Sequence, residues 1–216
     1  MKKTILALSL FSALTVNASL MSFEQGSLQL ENINLSKTAT INDEKGAPST
    51  IKLDLLGAGL RTKTVLFVAA KVYVLQLFSD SKSTFSRDNN AISSLVQNSK
   101  SIALKISMLR TTSASTLSVS FKEALQANGY AMDNDLTSVL SIIENGADGL
   151  QGKDLVMLMV KGQDGKVNLY YEDAKGAMKS FSGSAELMTK ILSIWLGKPA
   201  DDGLGKLKTQ LLNPVY

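Results

Sequence analysis

The chain has 216 residues, 44% of them hydrophobic, and a formal charge of +4 from 23 Lys and Arg against 19 Asp and Glu. It contains neither Cys nor His, which excludes thiol nucleophiles, disulfide exchange, thiolate zinc sites, Ser-His-Asp triads and imidazole proton shuttles. The basic residues are scattered, with no stripe and no interleaved aromatics, so no nucleic-acid partner is expected.

The chain opens on Lys2-Lys3, an apolar run from Ile5 to Val16, and small residues at Val16-Asn17-Ala18. That order is the pattern of a secretory signal peptide over residues 1–18, cleaved after Ala18. The run is shorter than the roughly 20 residues a membrane-crossing helix needs, and no later stretch qualifies. The expected product is therefore an exported soluble protein, periplasmic or secreted, with no transmembrane segment. Losing Lys2 and Lys3 would also bring the formal charge down to +2.

Residues 19–50 are polar with weak alternation and a break at Gly46-Ala47-Pro48, which predicts an N-terminal arm with short edge strands. Residues 51–216 then read as one domain, long enough to build its core without disulfides. From Ile51 to Ser79 two runs rich in β-branched and apolar residues flank Arg61-Thr62-Lys63-Thr64, a long hairpin or bent strand pair. Ile92, Leu95 and Val96 share a helical spacing within Asp88 to Gln97, and the alternation from Ile102 to Met108 predicts a half-buried strand. Leu117, Phe121, Ala124 and Leu125 lie on one face of a helix that Gly129 would stop, and a second helix runs from Asp135 to Glu144. Leu155 to Val160, the turn Gly162-Gln163-Asp164-Gly165 and the alternating Val167 to Tyr171 form the plainest hairpin. Met157 and Met159 on that hairpin read as core. Met178 to Phe181 adds a strand; Ser184 is placed to cap a helix ending at Leu196 and Gly197, and Asp202 to Leu212 closes the chain as an amphipathic helix. Runs of strands and helices without β-α-β alternation predict an α+β open-faced sandwich, an antiparallel sheet covered by a layer of helices.

The acidic pairs Asp43-Glu44, Asp133/Asp135 and Asp201-Asp202 fit turns and helix caps; none follows a calcium-loop pattern, so no metal and no cofactor is expected. Leu56-Gly57-Ala58-Gly59-Leu60-Arg61 fails as a dinucleotide fingerprint, because no third Gly follows and the next element is a strand. It does place an Arg at a strand between apolar runs. Such an Arg is either exposed, paired with an internal acid, or facing a ligand.

Gly57-Ala58-Gly59-Leu60-Arg61, the run Leu66-Phe67-Val68-Ala69-Ala70-Lys71-Val72-Tyr73-Val74, and the ending Ile194-Trp195-Leu196-Gly197 with Pro199 resemble the chalcone isomerase-like family, as does the order of elements from 51 to 212. Plant isomerases of that family close a flavanone ring with an Arg after the glycines, a Thr on the next strand, a Tyr and an Asn around the helix after the central strand, and a Thr near the C-terminal helix. Those positions fall on Arg61, Val68, Ser113, Ser120 and Ile194. Val68 and Ile194 have no proton to donate, so ring closure is not expected. Fatty-acid-binding relatives of the same fold hold a carboxylate with this Arg and a Tyr. The resemblance thus implies a non-catalytic binder of a small apolar or amphipathic acid, with Arg61 as anion anchor and Tyr73 as its partner. It also leaves open an isomerase or intramolecular lyase with an altered site, in which Arg61 stabilises an enolate or phenolate, and a protein-interaction module.

Overall fold

The computed structural model describes residues 19–42, 48–65 and 67–214. The signal-peptide reading of residues 1–18, the Asp43-Glu44 pair and the Gly46-Ala47 part of the break lie outside the described residues. Eight strands run as one antiparallel meander in chain order: β1 (Met21–Leu30), β2 (Ile33–Asn42), β3 (Pro48–Val65), β4 (Val68–Ser79), β5 (Ser101–Met108), β6 (Asp154–Lys161), β7 (Val167–Glu172) and β8 (Met178–Gly183). Five helices cover one face: α1 (Ala91–Asn98), α2 (Ala114–Ala127), α3 (Asn134–Glu144), α4 (Leu187–Leu196) and α5 (Asp202–Leu212). This is the α+β layer the hydrophobic pattern implied.

The main core lies between sheet and helices. Alternate strand residues, such as Leu75 and Leu77 on β4 and Leu104 and Ile106 on β5, meet Leu117, Phe121, Leu140 and Ile191 from the helices. Met157 and Met159 are buried here, as expected. Polar caps start three of the helices: Ser113 Oγ accepts from the Thr116 N–H, Asp133 from Leu136, and Asp201 from Leu204.

The other face is not open to solvent throughout. The sheet curls so that β1 and β2 cover it, burying Leu20, Met21 and Ala39 against Phe78, Ala103, Val156 and Leu158. The Phe23 and Phe78 rings stand 5.7 Å apart, and the Leu20 N–H donates to Glu172 on β7 at 2.7 Å. All eight residues of β5 are therefore buried, where alternation predicted a half-buried strand. Lys105 meets the resulting desolvation with an ion pair to Asp154 at 3.2 Å and the face of the Phe23 ring at 4.5 Å.

Two local expectations change. The segment read as an arm carries two ten-residue strands of the main sheet, whose irregular registers around Gln25 and between Thr40 and Asn42 blur the two-residue period in the sequence. Ser184 does not cap α4 with its side chain; its carbonyl accepts the Leu187 N–H, and the N-cap position falls on Glu186. Gly197 ends α4, as expected, with φ −83°; it is small because the Asn128 side chain passes over it, donating to the Ser193 and Lys198 carbonyls.

Candidate functional site

The glycines that precede Arg61 are a seat for a helix. A β-carbon on Gly57 would collide with the Leu211 carbonyl oxygen, and one on Gly59 would stand 2.6 Å from Leu207 Cδ1. From the other side, a β-carbon on Gly203 would collide with the Thr62 carbonyl. Glycine at all three positions lets α5 lie directly on the β3 backbone, and Gln210 locks it there by accepting the Leu60 N–H at 2.7 Å. This contact carries the N-terminus of α5, and with it Asp201, to Arg61.

Arg61 and Tyr73 are directly opposed in the β3–β4 ladder, next to an irregularity between Arg61 and Thr62. Both are buried, at 5% and 3% exposure. The Arg61 guanidinium grips Asp201 with two parallel bonds of 2.6 Å, Nη1 to Oδ1 and Nη2 to Oδ2, and Nη1 also donates to the Thr62 carbonyl at 2.5 Å. Of the three fates open to this Arg, pairing with an internal acid is realised. Two of its five N–H groups remain outside these bonds. Partial burial pushes the Asp201 carboxyl up, but the hydrogen bonds and charge of Arg61, with the Leu204 N–H, outweigh it and hold the group below the usual carboxylate range.

Tyr73 is placed by Trp195, whose indole N–H donates to the phenol oxygen at 3.0 Å. Trp195 is in turn held edge-on against Phe121, with ring centroids 5.2 Å apart. Burial pushes the Tyr73 phenol up, with the Trp195 hydrogen bond and the Arg61 charge opposing, so it stays protonated at neutral pH. Because its oxygen is already an acceptor, its proton is left to donate, and among the described residues no protein acceptor takes it.

These two side chains form the polar end of a cavity of about 300 Å³ between the sheet and α2, at the small end of the range for ligand sites. Val72, Leu117, Phe121, Ile194 and Leu204 supply apolar wall, and a rim of hydroxyls comes from Thr111, Thr112, Ser113, Thr116 and Ser120. Lys63, Ala70 and Arg110 complete the lining.

Of the positions carried over from the isomerases, Arg61, Ser113, Ser120 and Ile194 line this one cavity. Val68 does not: it is 69% exposed at the β3–β4 tip, and Ala70 and Val72 take the strand's place in the wall. Ser113 spends its oxygen on capping α2. Two participants were not singled out in the sequence. Asp201 was legible only as a turn or cap, which it also is, and Trp195 only as part of the ending Ile194-Trp195-Leu196-Gly197, with no role at the site. Neither carries a local signal for Arg61 or Tyr73, which lie more than a hundred residues earlier. Among the described residues, no cluster of three acidic side chains is placed to hold a metal ion. No helix among them is long and apolar enough to cross a membrane.

A sequence model of the family described as chalcone isomerase-like matches residues 27–213, so the match reaches into the segment read as an arm. No curated protein sequence matches the chain. Among solved structures, the crystal structure of a fatty-acid binding protein from Arabidopsis thaliana is similar, with 18% identity and a TM-score of 0.55 over 81% of this chain and 96% of that one. At that identity the likeness is one of fold.

Proposed function

Because the chain belongs to the chalcone isomerase-like family, we propose that it is an exported, non-catalytic binder of a small apolar or fatty-acid-like acid. The observation that carries this reading is a largely apolar cavity with one buried polar end, where Arg61 and the free phenol proton of Tyr73 converge. The name of the Arabidopsis protein, which states fatty-acid binding, supports the ligand class. The acid group sits at Tyr73 and the two unspent N–H groups of Arg61, and the tail lies along Leu117, Phe121 and Ile194.

Asp201 shapes what such a site selects. With Arg61 already neutralised, a second carboxylate beside the fork raises the cost of ionising both acids, so the incoming group binds best when it brings or shares a proton. Tyr73 then contributes more than it would beside a free guanidinium, and Arg61 less.

The test is calorimetric titration of a medium-chain fatty acid and the matching alcohol into wild type and Tyr73→Phe. A hydrogen bond to an acid that keeps or shares its proton is worth about 0.5–1.5 kcal/mol, so loss of the phenol weakens the acid roughly two- to tenfold and changes the alcohol less. Equal losses for both ligands, or no binding by wild type, overturn the reading. Export is tested separately: N-terminal sequencing of protein secreted by a bacterial host is expected to start at or within a few residues of Ser19, and an intact Met1 in the exported fraction refutes it.

A further inference from the structure

The tip of the β3–β4 hairpin departs from ordinary turn chemistry. Val65 to Ala70 are six consecutive apolar residues, where a tight hairpin calls for Gly, Asn or Asp. Phe67 has left-handed backbone (φ +69°), a conformation bulky residues rarely adopt, and its side chain is fully exposed. Val68 is 69% exposed and Ala69 is exposed beside it. Three consecutive exposed apolar residues, Phe67, Val68 and Ala69, serve neither folding nor solubility and mark a surface with a partner.

Two features of the structure name that partner. The first is the collar of charge. Lys63 and Lys71 lie on the strands just below the tip, opposite Ala70 and Thr62 respectively, and Arg110, on the β5–α2 connection, lines the cavity with Lys63. Lys63 pairs with Glu123 on α2, both exposed, and Lys71 with the half-buried Glu31; the exposed Lys63–Glu123 pair is one that counterions exchange readily. Arg110 has no ion pair among the described residues. Apolar atoms at the apex with cations a few ångströms behind them match the depth profile of a bilayer interface, acyl chains first and anionic headgroups next. The second feature is position. Lys63 and Ala70 line the cavity, so Val68 stands only two residues, about 7 Å along the strand, from its wall.

We propose that the β3–β4 tip docks the protein on an anionic lipid surface, with Phe67 and Val68 inserted below the headgroups and the cavity mouth facing the membrane. This rests on the acid-binding reading above, and it supplies the route: an acyl acid dissolved in the bilayer reaches the cavity without crossing water.

The experiment is co-sedimentation with vesicles of phosphatidylethanolamine and phosphatidylglycerol, or of phosphatidylcholine alone, both free of fatty acid. Wild type partitions to the anionic vesicles and less to the neutral ones. Phe67→Ser with Val68→Ser lowers partitioning at least tenfold, leaves the melting temperature within about 2 °C because both side chains are exposed, and leaves acid binding in detergent-free buffer unchanged. Lys71→Glu weakens binding to the anionic vesicles only. Absence of wild-type partitioning, or partitioning that survives the double substitution, overturns the docking while acid titration still judges the binder. Partitioning without any acid binding keeps the docking and removes the binder. A tip that instead drives self-association, seen as a dimer by sedimentation velocity and abolished by the same double substitution, also overturns the proposal.

Discussion

Removing Asp201 is expected to damage the protein more than removing Arg61, although the two form one ion pair. The Arg61 side chain is 6% exposed and the Asp201 side chain 37%. In Arg61→Ala the orphaned carboxylate can hydrate and still caps α5 through the Leu204 N–H. Breaking a fully buried pair costs about 3–5 kcal/mol; with one partner more than a third exposed, about 2–3 is appropriate. In Asp201→Ala the guanidinium stays buried with only the Thr62 carbonyl, and the helix also loses its cap, worth about 0.5–2 kcal/mol, for a total of about 3–5. At about 2–4 °C per kcal/mol in a domain of this size, the melting temperature falls by roughly 4–12 °C for Arg61→Ala and 6–20 °C for Asp201→Ala. The double variant is expected to lose less than the sum of the two single losses, because the unpaired buried cation is gone, with a coupling of about 1–3 kcal/mol. Thermal melts of the four proteins followed by circular dichroism and calorimetry measure this directly. Additive losses, or an Asp201→Ala variant that melts with wild type, would refute the pairing as the reason Arg61 is buried.

Gly57→Ala should cost about 2–3 kcal/mol in chemical denaturation, because the added carbon meets the Leu211 backbone and lifts α5, whereas Gly129→Ala, with open space around it but φ +82°, should cost about 1. Tyr171→Phe should raise the melting temperature by about 2–4 °C: the phenol is buried with no hydrogen-bond partner, and burial and Asp173 both push its pKa up; a fall instead shows that the oxygen has a partner. The acid limb of stability follows from Glu24, whose carboxyl is held down to about 2 by hydrogen bonds from Lys37, Thr38 and Lys52. Since this lies below the unfolded value of about 4.3, its contribution is complete above that pH and disappears as pH falls toward 2. Glu24→Gln should flatten the melting-temperature profile between about pH 4.5 and 2, and an unchanged slope there removes Glu24 as a source.

Elements with a local signature were legible. The Asp202–Leu212 helix and the Gly162–Gly165 hairpin turn stand where periodicity and turn residues put them, because both are decided within a dozen residues. What failed depends on distant partners. β1 and β2 looked like an arm because bulges break their alternation, and β5 looked half-solvated because its second cover comes from residues 60 to 80 positions earlier. The resemblance brought Arg61, Ser113, Ser120 and Ile194 to one cavity, yet it put Val68 in the wall when that residue lies on the tip two residues beyond it. The pair that defines the polar end, Arg61 with Asp201, spans 140 residues, and no spacing rule links them.

The glycine seat also sets an order of assembly. β3 and β4 can zip as a hairpin early, but the groove over Gly57 and Gly59 stays empty until residues 202–212 exist, and Arg87 then fastens the far end of α5 through the Leu211 and Leu212 carbonyls. Contacts of such long sequence separation form late and slowly. Until they form, Arg61 has no counter-ion and Leu204 leaves a gap in the wall, so a chain still being synthesised holds no finished cavity. The cavity is complete only when the final helix docks.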